Sequence, residues 1–310
     1  MPNASVAVPR PRRWSGLLLV TGGAVLLSAK GILSKLLYAE GLDFQEVVTL
    51  RALLSLPLFW LWGSYRVGLA KITGAERKPV LGAIAAGILC YYVGGSLDFY
   101  ALTLIDAGLE RVLLYTYPAI IVFSLALWHR RRPPMPVLCA LFMTCAGILL
   151  VVGVFDRALW QANAFGAVLV LICALTYAAY FFANELVGRQ VGRIVFTVYA
   201  LSAATFSLLL HYSLSHSLLA FSISARAWGL MGVLVVFVTV IPLFMLAEGV
   251  RQSGAQRAGL VSTVGPASTV LLAALFLDES MRWFQYLGVL VTLLGIVILE
   301  WQQKLPAVSD

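Results

Sequence analysis

Two acids and three bases, Lys30, Arg51, Asp98, Glu110 and Arg111, lie inside apolar runs of the first half of the chain. A charge in hydrocarbon costs about 3 kcal/mol on insertion scales, so each needs a partner or a polar cavity. Arg51, Asp98, Glu110 and Arg111 share one depth band, where opposite signs can pair as a structural clasp or an outer gate. Lys30 has Gly23, Gly31 and Ser34 as helical neighbours, a small and polar surface. Two readings stay open for it: a lumen-facing cation that receives a carboxylate, or a side chain that snorkels to the outer interface. Lys35 reads as an interfacial anchor, and Glu248, near the end of a later run, as interfacial or gate-forming.

Tyrosines form the second group. Tyr91 and Tyr92 are adjacent in mid-run, and Tyr177, Tyr180 and Asn184 fall on much the same face of another run. Phenols at mid-depth can line a cavity for a flat apolar solute and offer it hydroxyls. Interhelical packing is the alternative. Four prolines, Pro57, Pro118, Pro242 and Pro266, also lie within apolar runs, where each removes a helical hydrogen bond. Pro118 and Pro266 are the hinge candidates, because they occupy matching places in a repeat.

That repeat organises the elements that must hold these residues. DAGLERVLLYTYPAIIVFSLALWHRRRPPMPVLCALFMTCAGILL, from Asp106, runs in step with GAQRAGLVSTVGPASTVLLAALFLDESMRWFQYLGVLVTLLGIVI, from Gly254. Pro118 meets Pro266, Thr144 meets Thr292 and Gly147 meets Gly295, all without a gap. The chain has 310 residues, 61% of them apolar and 12% charged. A soluble domain is roughly a quarter charged, so this chain must be solvated by lipid. About 20 apolar residues cross a bilayer. By that measure spans are expected at 14–38, 46–66, 79–103, 107–128, 134–155, 163–186, 194–214, 226–249, 256–277 and 283–301. The first is too long for a signal peptide and is read as a retained span.

Loop charges orient the spans. With the N-terminus cytoplasmic, that face holds fifteen basic residues: Arg10, Arg12, Arg13, Arg66, Lys71, Arg77, Lys78, Arg130, Arg131, Arg132, Arg189, Arg193, Arg251, Arg257 and Lys304. The other face holds Arg157, Arg226 and Arg282. Both termini are therefore expected to be cytoplasmic. Five spans per half is an odd number, so the halves enter the membrane from opposite faces. The loops agree: HRRRPP between spans 4 and 5 becomes LDESMR between spans 9 and 10. The expectation is an all-α polytopic membrane protein with two inverted five-helix repeats. Its parts are a tail at 1–13, repeats at 14–155 and 156–301, and a tail at 302–310. Inverted repeats favour alternating access about a central site.

Other classes find little support. The net charge of +8 is spread through short loops and forms no stripe for a phosphate backbone, which excludes nucleic acid as a partner. Cys90, Cys139, Cys145 and Cys173 form no CxxC pair and read as small buried hydrophobes. His129, His211 and His216 read as interfacial. No HExxH or phosphate loop is present, and the short loops leave no room for a soluble catalytic domain. The reading is of a non-enzyme with no catalytic residue, metal site or cofactor. Its partners are the lipid bilayer and a small molecule, with no obligate protein partner.

TLRALLSLPLF (49–59), ALTLIDAG (101–108), ALTYAAY (174–180) and the closing pattern P…LFLDE…W…GVLVTLLGIVIL (266–299) occur in order along the ten spans. In these marks the chain resembles the EamA family of the drug/metabolite transporter superfamily, across essentially residues 14–301. The resemblance implies ten helices around a central pathway, without ATPase machinery. Within the family the chain looks most like bacterial aromatic amino acid exporters of the YddG type. It departs from the family pattern at HRRRPP, where the first repeat often carries an acid matching Glu279.

The functional expectation is export of amino acids, aromatic ones especially, across the bacterial inner membrane. Lys30 would receive the carboxylate, while Tyr91, Tyr92, Tyr177, Tyr180 and Asn184 shape the pocket. Efflux of drugs or cationic toxins such as methyl viologen is the alternative. Coupling by proton exchange, by membrane potential or by neither is compatible with these residues.

Overall fold

The computed structural model describes residues 13–128, 134–215 and 223–302. HRRRP of the span 4–5 loop, His129, His216 and most of both tails lie outside the described residues, as does the expected charge of Arg130, Arg131, Arg132 and Lys304. The described residues are helical throughout, with no strand among them.

Eight helices are individually long and apolar enough to cross a membrane. They are span 1 (Trp14–Ala39), span 2 (Phe44–Val67), span 3 (Arg77–Ala101), span 5 (Met135–Val152), span 6 (Arg157–Leu186), span 7 (Arg193–Ser215), span 8 (Ala225–Ser253) and span 9 (Arg257–Phe276). Span 10 (Trp283–Gln302) carries a shorter apolar run, Trp283–Leu299. Span 4 is two short helices, Ala107–Leu114 and Tyr117–Trp128. With it the described residues make ten apolar segments, as the sequence predicts.

Local chemistry sets several ends. Span 2 starts at a reciprocal cap: Asp43 accepts the Glu46 amide at 2.8 Å, and Glu46 accepts the Asp43 amide at 2.9 Å. Span 6 begins six residues before its expected start, because Asp156 accepts the amides of Ala158 and Leu159. Span 5 stops at Val152, short of the expected 155, where Gly153 takes a φ of 86°.

Interruptions recur at the repeat spacing. Span 4 breaks at Tyr115–Thr116 and span 9 at Thr263, in each case just before the paired prolines. Pro118 and Pro266 cannot donate to the turn behind them, which explains both breaks. Span 3 widens into a π-helix at Ile88–Gly94, and span 8 at Val236–Val240. Ile88 and Val236 are also 148 residues apart. Such widenings often accompany functional positions. Symmetry fails at the first helix, where span 1 is interrupted at Ala29 while its counterpart, span 6, is continuous.

Packing makes the inversion visible. Span 5 lies antiparallel along span 10, with Gly147 against Thr292 and Gly288, and Gly295 against Thr144 and Ala140. Moving each residue by 148 positions converts one set into the other, the self-complementary pattern of a two-fold axis. The other contacts follow it. Span 2 meets span 7 and span 4 meets span 9, while span 1 packs on span 8 as span 6 packs on span 3.

Candidate functional site

Lys30 opens the second segment of span 1, at a helix N-terminus that disfavours a cation. Two carboxylates compensate. Lys30 Nζ lies 2.5 Å from Asp98 Oδ2 of span 3 and 3.1 Å from Glu110 Oε1 of span 4. The side chains are nearly sealed, at 11%, 3% and 0% exposure, so the triad ties three spans together in a dry setting. Removing one member of such a group strands the others, at about 3–5 kcal/mol.

The two arginines differ from Lys30. Among the described residues, neither Arg51 nor Arg111 has a carboxylate within ion-pair distance. Each rests on a ring instead. Arg51 lies 5.0 Å from the centre of Phe99, and Arg111 lies 5.2 Å from that of Tyr115. Phe99 also has Lys30 Nζ at 5.6 Å. Four buried atoms of the cluster have no hydrogen-bond partner among the described residues: Arg51 Nε, Arg111 Nε, Asp98 Oδ1 and Glu110 Oε2.

An aromatic group shares spans 3 and 4 with the charges, and its Tyr91 and Tyr177 lie within electrostatic reach of Arg51. Tyr91 meets Tyr180 edge-on, with ring centres 4.9 Å apart. Tyr117 stacks on Phe181 at 5.2 Å and lies 6.4 Å from Tyr177. Spans 3, 4 and 6 contribute these rings. Gly94 permits the close approach, because a Cβ there would fall 2.1 Å from Thr176 Oγ1. Tyr180 and Thr197 share a hydroxyl contact of 3.4 Å.

Tyr92 and Asn184 sit apart from that group. Tyr92 turns toward His211 of span 7, in a shallow cleft with Phe206 and Leu214. Asn184 lies one turn beyond Tyr180, its Oδ1 buried without a partner beneath Gly188. Glu248 is far along span 8, paired with Arg251 and accepting from Gln252 Nε2 at 2.7 Å. Gln252 in turn accepts from Ser15 of span 1.

Glu279 has a part that residue types alone did not assign. It accepts the Ala107 amide at 2.9 Å and reaches toward that of Gly108, so it caps the first turn of span 4. Its other oxygen lies 2.7 Å from Lys35 Nζ, and Lys35 also approaches Asp106 at 3.9 Å. Lys35 is therefore part of an ion network as well as near a span end. Burial and the neighbouring Glu279 hold the Asp106 carboxyl above its ordinary range. The loop 9–10 acid thus clasps spans 1 and 4.

The cluster Lys30, Arg51, Asp98, Glu110 and Arg111 has no charged image in the second repeat. The corresponding positions are Ala178, Tyr199, Leu246, Ala258 and Gly259.

Comparison with known proteins agrees with this architecture. The model of the EamA-like transporter family matches the chain twice, at residues 14–153 and 164–301. The chain is 31% identical over 281 residues to the uncharacterized transporter YcbK of Bacillus subtilis (strain 168), covering 88% of this chain and 89% of that protein. It is 26% identical over 310 residues to the uncharacterized inner membrane transporter YicL of Salmonella typhimurium, covering 93% and 96%. A protein of known crystal structure superposes with a TM-score of 0.65 at 18% identity, over 92% of this chain and 97% of that one, a likeness of fold. Two inverted five-helix units, each matching the family model, make this chain a multi-pass membrane protein of the EamA-like transporter family.

Proposed function

We propose that this protein exports amino acids, preferentially aromatic ones, across the bacterial inner membrane by alternating access. The observation that carries the reading is the aromatic group of spans 3, 4 and 6, whose Tyr91 and Tyr177 lie within electrostatic reach of Arg51 in a sign-mixed charge cluster. An aromatic amino acid is amphipathic in the same way, a flat ring next to a zwitterion. Both termini face the cytoplasm in this reading, in line with the loop charges. The inversion supplies the motion, and the charged groups confined to the first repeat supply selectivity.

Lys30 serves here as the centre that fixes the charge cluster, since two carboxylates already hold its ammonium. Efflux of a cationic toxin is the weaker reading. The cluster has three cations against two carboxylates, so a further cation entering it meets net repulsion.

Efflux of labelled phenylalanine, tyrosine and tryptophan from proteoliposomes tests the proposal. Saturable movement, competed by aromatic amino acids more strongly than by methyl viologen, is the expected result. If no aromatic amino acid moves or competes, the substrate assignment is wrong. Imposing pH and electrical gradients separately then identifies the coupling.

A further inference from the structure

The charge cluster is one anion short. Lys30, Arg51 and Arg111 bring three positive charges, and Asp98 and Glu110 bring two negative ones. Lys30 takes both carboxylates at ion-pair distance. The deficit therefore falls on the arginines, and they are not equivalent. Arg111 is buried, at 7% exposure, and closed over by Tyr115. Arg51 is only half-buried. Its guanidinium lies over Phe99 and within electrostatic reach of Tyr177, Asp98, Tyr91 and Tyr38. It is thus the cation that adjoins the tyrosine group and the less buried of the two arginines.

We infer that Arg51 is the receptor for the substrate's carboxylate, completing the charge balance of the cluster when a substrate binds. Arginine suits the task better than lysine, because its planar fork can give two parallel hydrogen bonds to one carboxylate. Its buried Nε has no hydrogen-bond partner among the described residues, so a carboxylate there displaces no existing bond. Tyr91 and Tyr177, both within electrostatic reach of Arg51, take the ring. At the equivalent place in the second repeat stands Tyr199, whose hydroxyl is spent on the Ile72 carbonyl, so that half has no such receptor.

The inference rests on the amino-acid export reading and adds the group that recognises the carboxylate. Its test uses the full-length protein in proteoliposomes, with labelled phenylalanine as the transported probe. Unlabelled phenylalanine, phenethylamine (no carboxylate) and 3-phenylpropionate (no ammonium) serve as competitors. Arg51→Gln should weaken phenylalanine and 3-phenylpropionate by about 30-fold or more, the scale of losing one partner of a buried charge pair. Phenethylamine should change by less than about 3-fold. Arg51→Lys keeps the charge without the fork and should fall between; if Arg51→Gln does not fold, Arg51→Lys carries the same comparison. Equal weakening of all three competitors, or unchanged competition by phenylalanine, overturns the role of Arg51 while leaving the export reading intact. Wild-type vesicles that move no phenylalanine overturn both.

Discussion

Tyr115 of span 4 donates its hydroxyl to the main-chain oxygen of Ser262 in span 9, at 3.0 Å. That oxygen is the acceptor that Pro266, four residues on, cannot serve. One repeat therefore repairs the helix break of the other. Thr263 occupies the position equivalent to Tyr115, and its hydroxyl turns back to Leu260 in its own helix. Span 1 adds a link beside the break, with Ser28 Oγ donating to the Gly265 oxygen at 2.7 Å. Tyr115→Phe should destabilise the protein by about 1–3 kcal/mol, because it strands a shielded acceptor. Thermal unfolding in detergent measures the loss, and substrate turnover reports whether Pro266 is a hinge. A variant with wild-type stability and turnover would leave the bond without a role in either.

Lys30→Met leaves Asp98 and Glu110 facing each other without their shared cation. The expected cost is about 3–5 kcal/mol, read as a loss of folded protein at moderate temperature. The double variant Lys30→Met with Asp98→Asn removes one of the stranded charges and should recover part of that loss. A double-mutant cycle isolates the coupling between the two. Additive effects would mean that the 2.5 Å contact has no share in stability.

Glu279 holds the start of span 4 against span 1 through two unlike bonds, a helix cap and an ion pair with Lys35. Opening on that face must break both. Glu279→Ala should shift the population toward the open form and expose Met281, whose methyl lies 2.8 Å from where a Cβ on Gly108 would stand. With the four native cysteines replaced and Met281→Cys introduced, a membrane-impermeant thiol reagent should react several-fold faster in the Glu279→Ala background. Lys35→Met should act in the same direction, and the combination should add little, since both break one clasp. Unchanged labelling would show that the clasp does not control opening.

The fold was legible because the apolar pattern is an additive signal. Every residue from Trp14 to Ala39 contributes to one span, and the 148-residue register pairs the two halves over many positions. The site was less so, because it depends on side-chain partners from different spans. Asp98 and Glu110 were visible as charges in one band, but nothing in their spacing selects Lys30 over Arg51 or Arg111 as the cation they hold. The break at Ala29, which brings Lys30 to a helix end, has no proline or glycine at its own position to announce it. Tyr91 and Tyr92 look alike in sequence, yet consecutive helical positions diverge by about 100°, and the two rings go to spans 6 and 7. Glu279 stood out as an acid without a repeat partner, and its destination, the amide of Ala107, is 172 residues away.

The contact between spans 5 and 10 gives a test of the inversion itself. A Cβ on Gly147 would fall 2.2 Å from Thr292 Oγ1 and 2.6 Å from the Thr292 amide. One on Gly295 would fall 2.6 Å from Thr144 Oγ1 and 2.8 Å from the Ala140 oxygen. Backbone atoms lie within reach on both sides, so rotating a side chain cannot relieve either clash. Gly147→Ala and Gly295→Ala should each force the helices apart, at about 1–3 kcal/mol. Because the two sites are images through one axis, separating the helices for the first substitution creates room for the second. The double variant should therefore lose less than the sum of the singles. Thr292→Ala should rescue Gly147→Ala only in part, since it removes the hydroxyl and leaves the amide. Thermal unfolding of the five proteins decides the matter: strict additivity would separate the two contacts and argue against a shared axis.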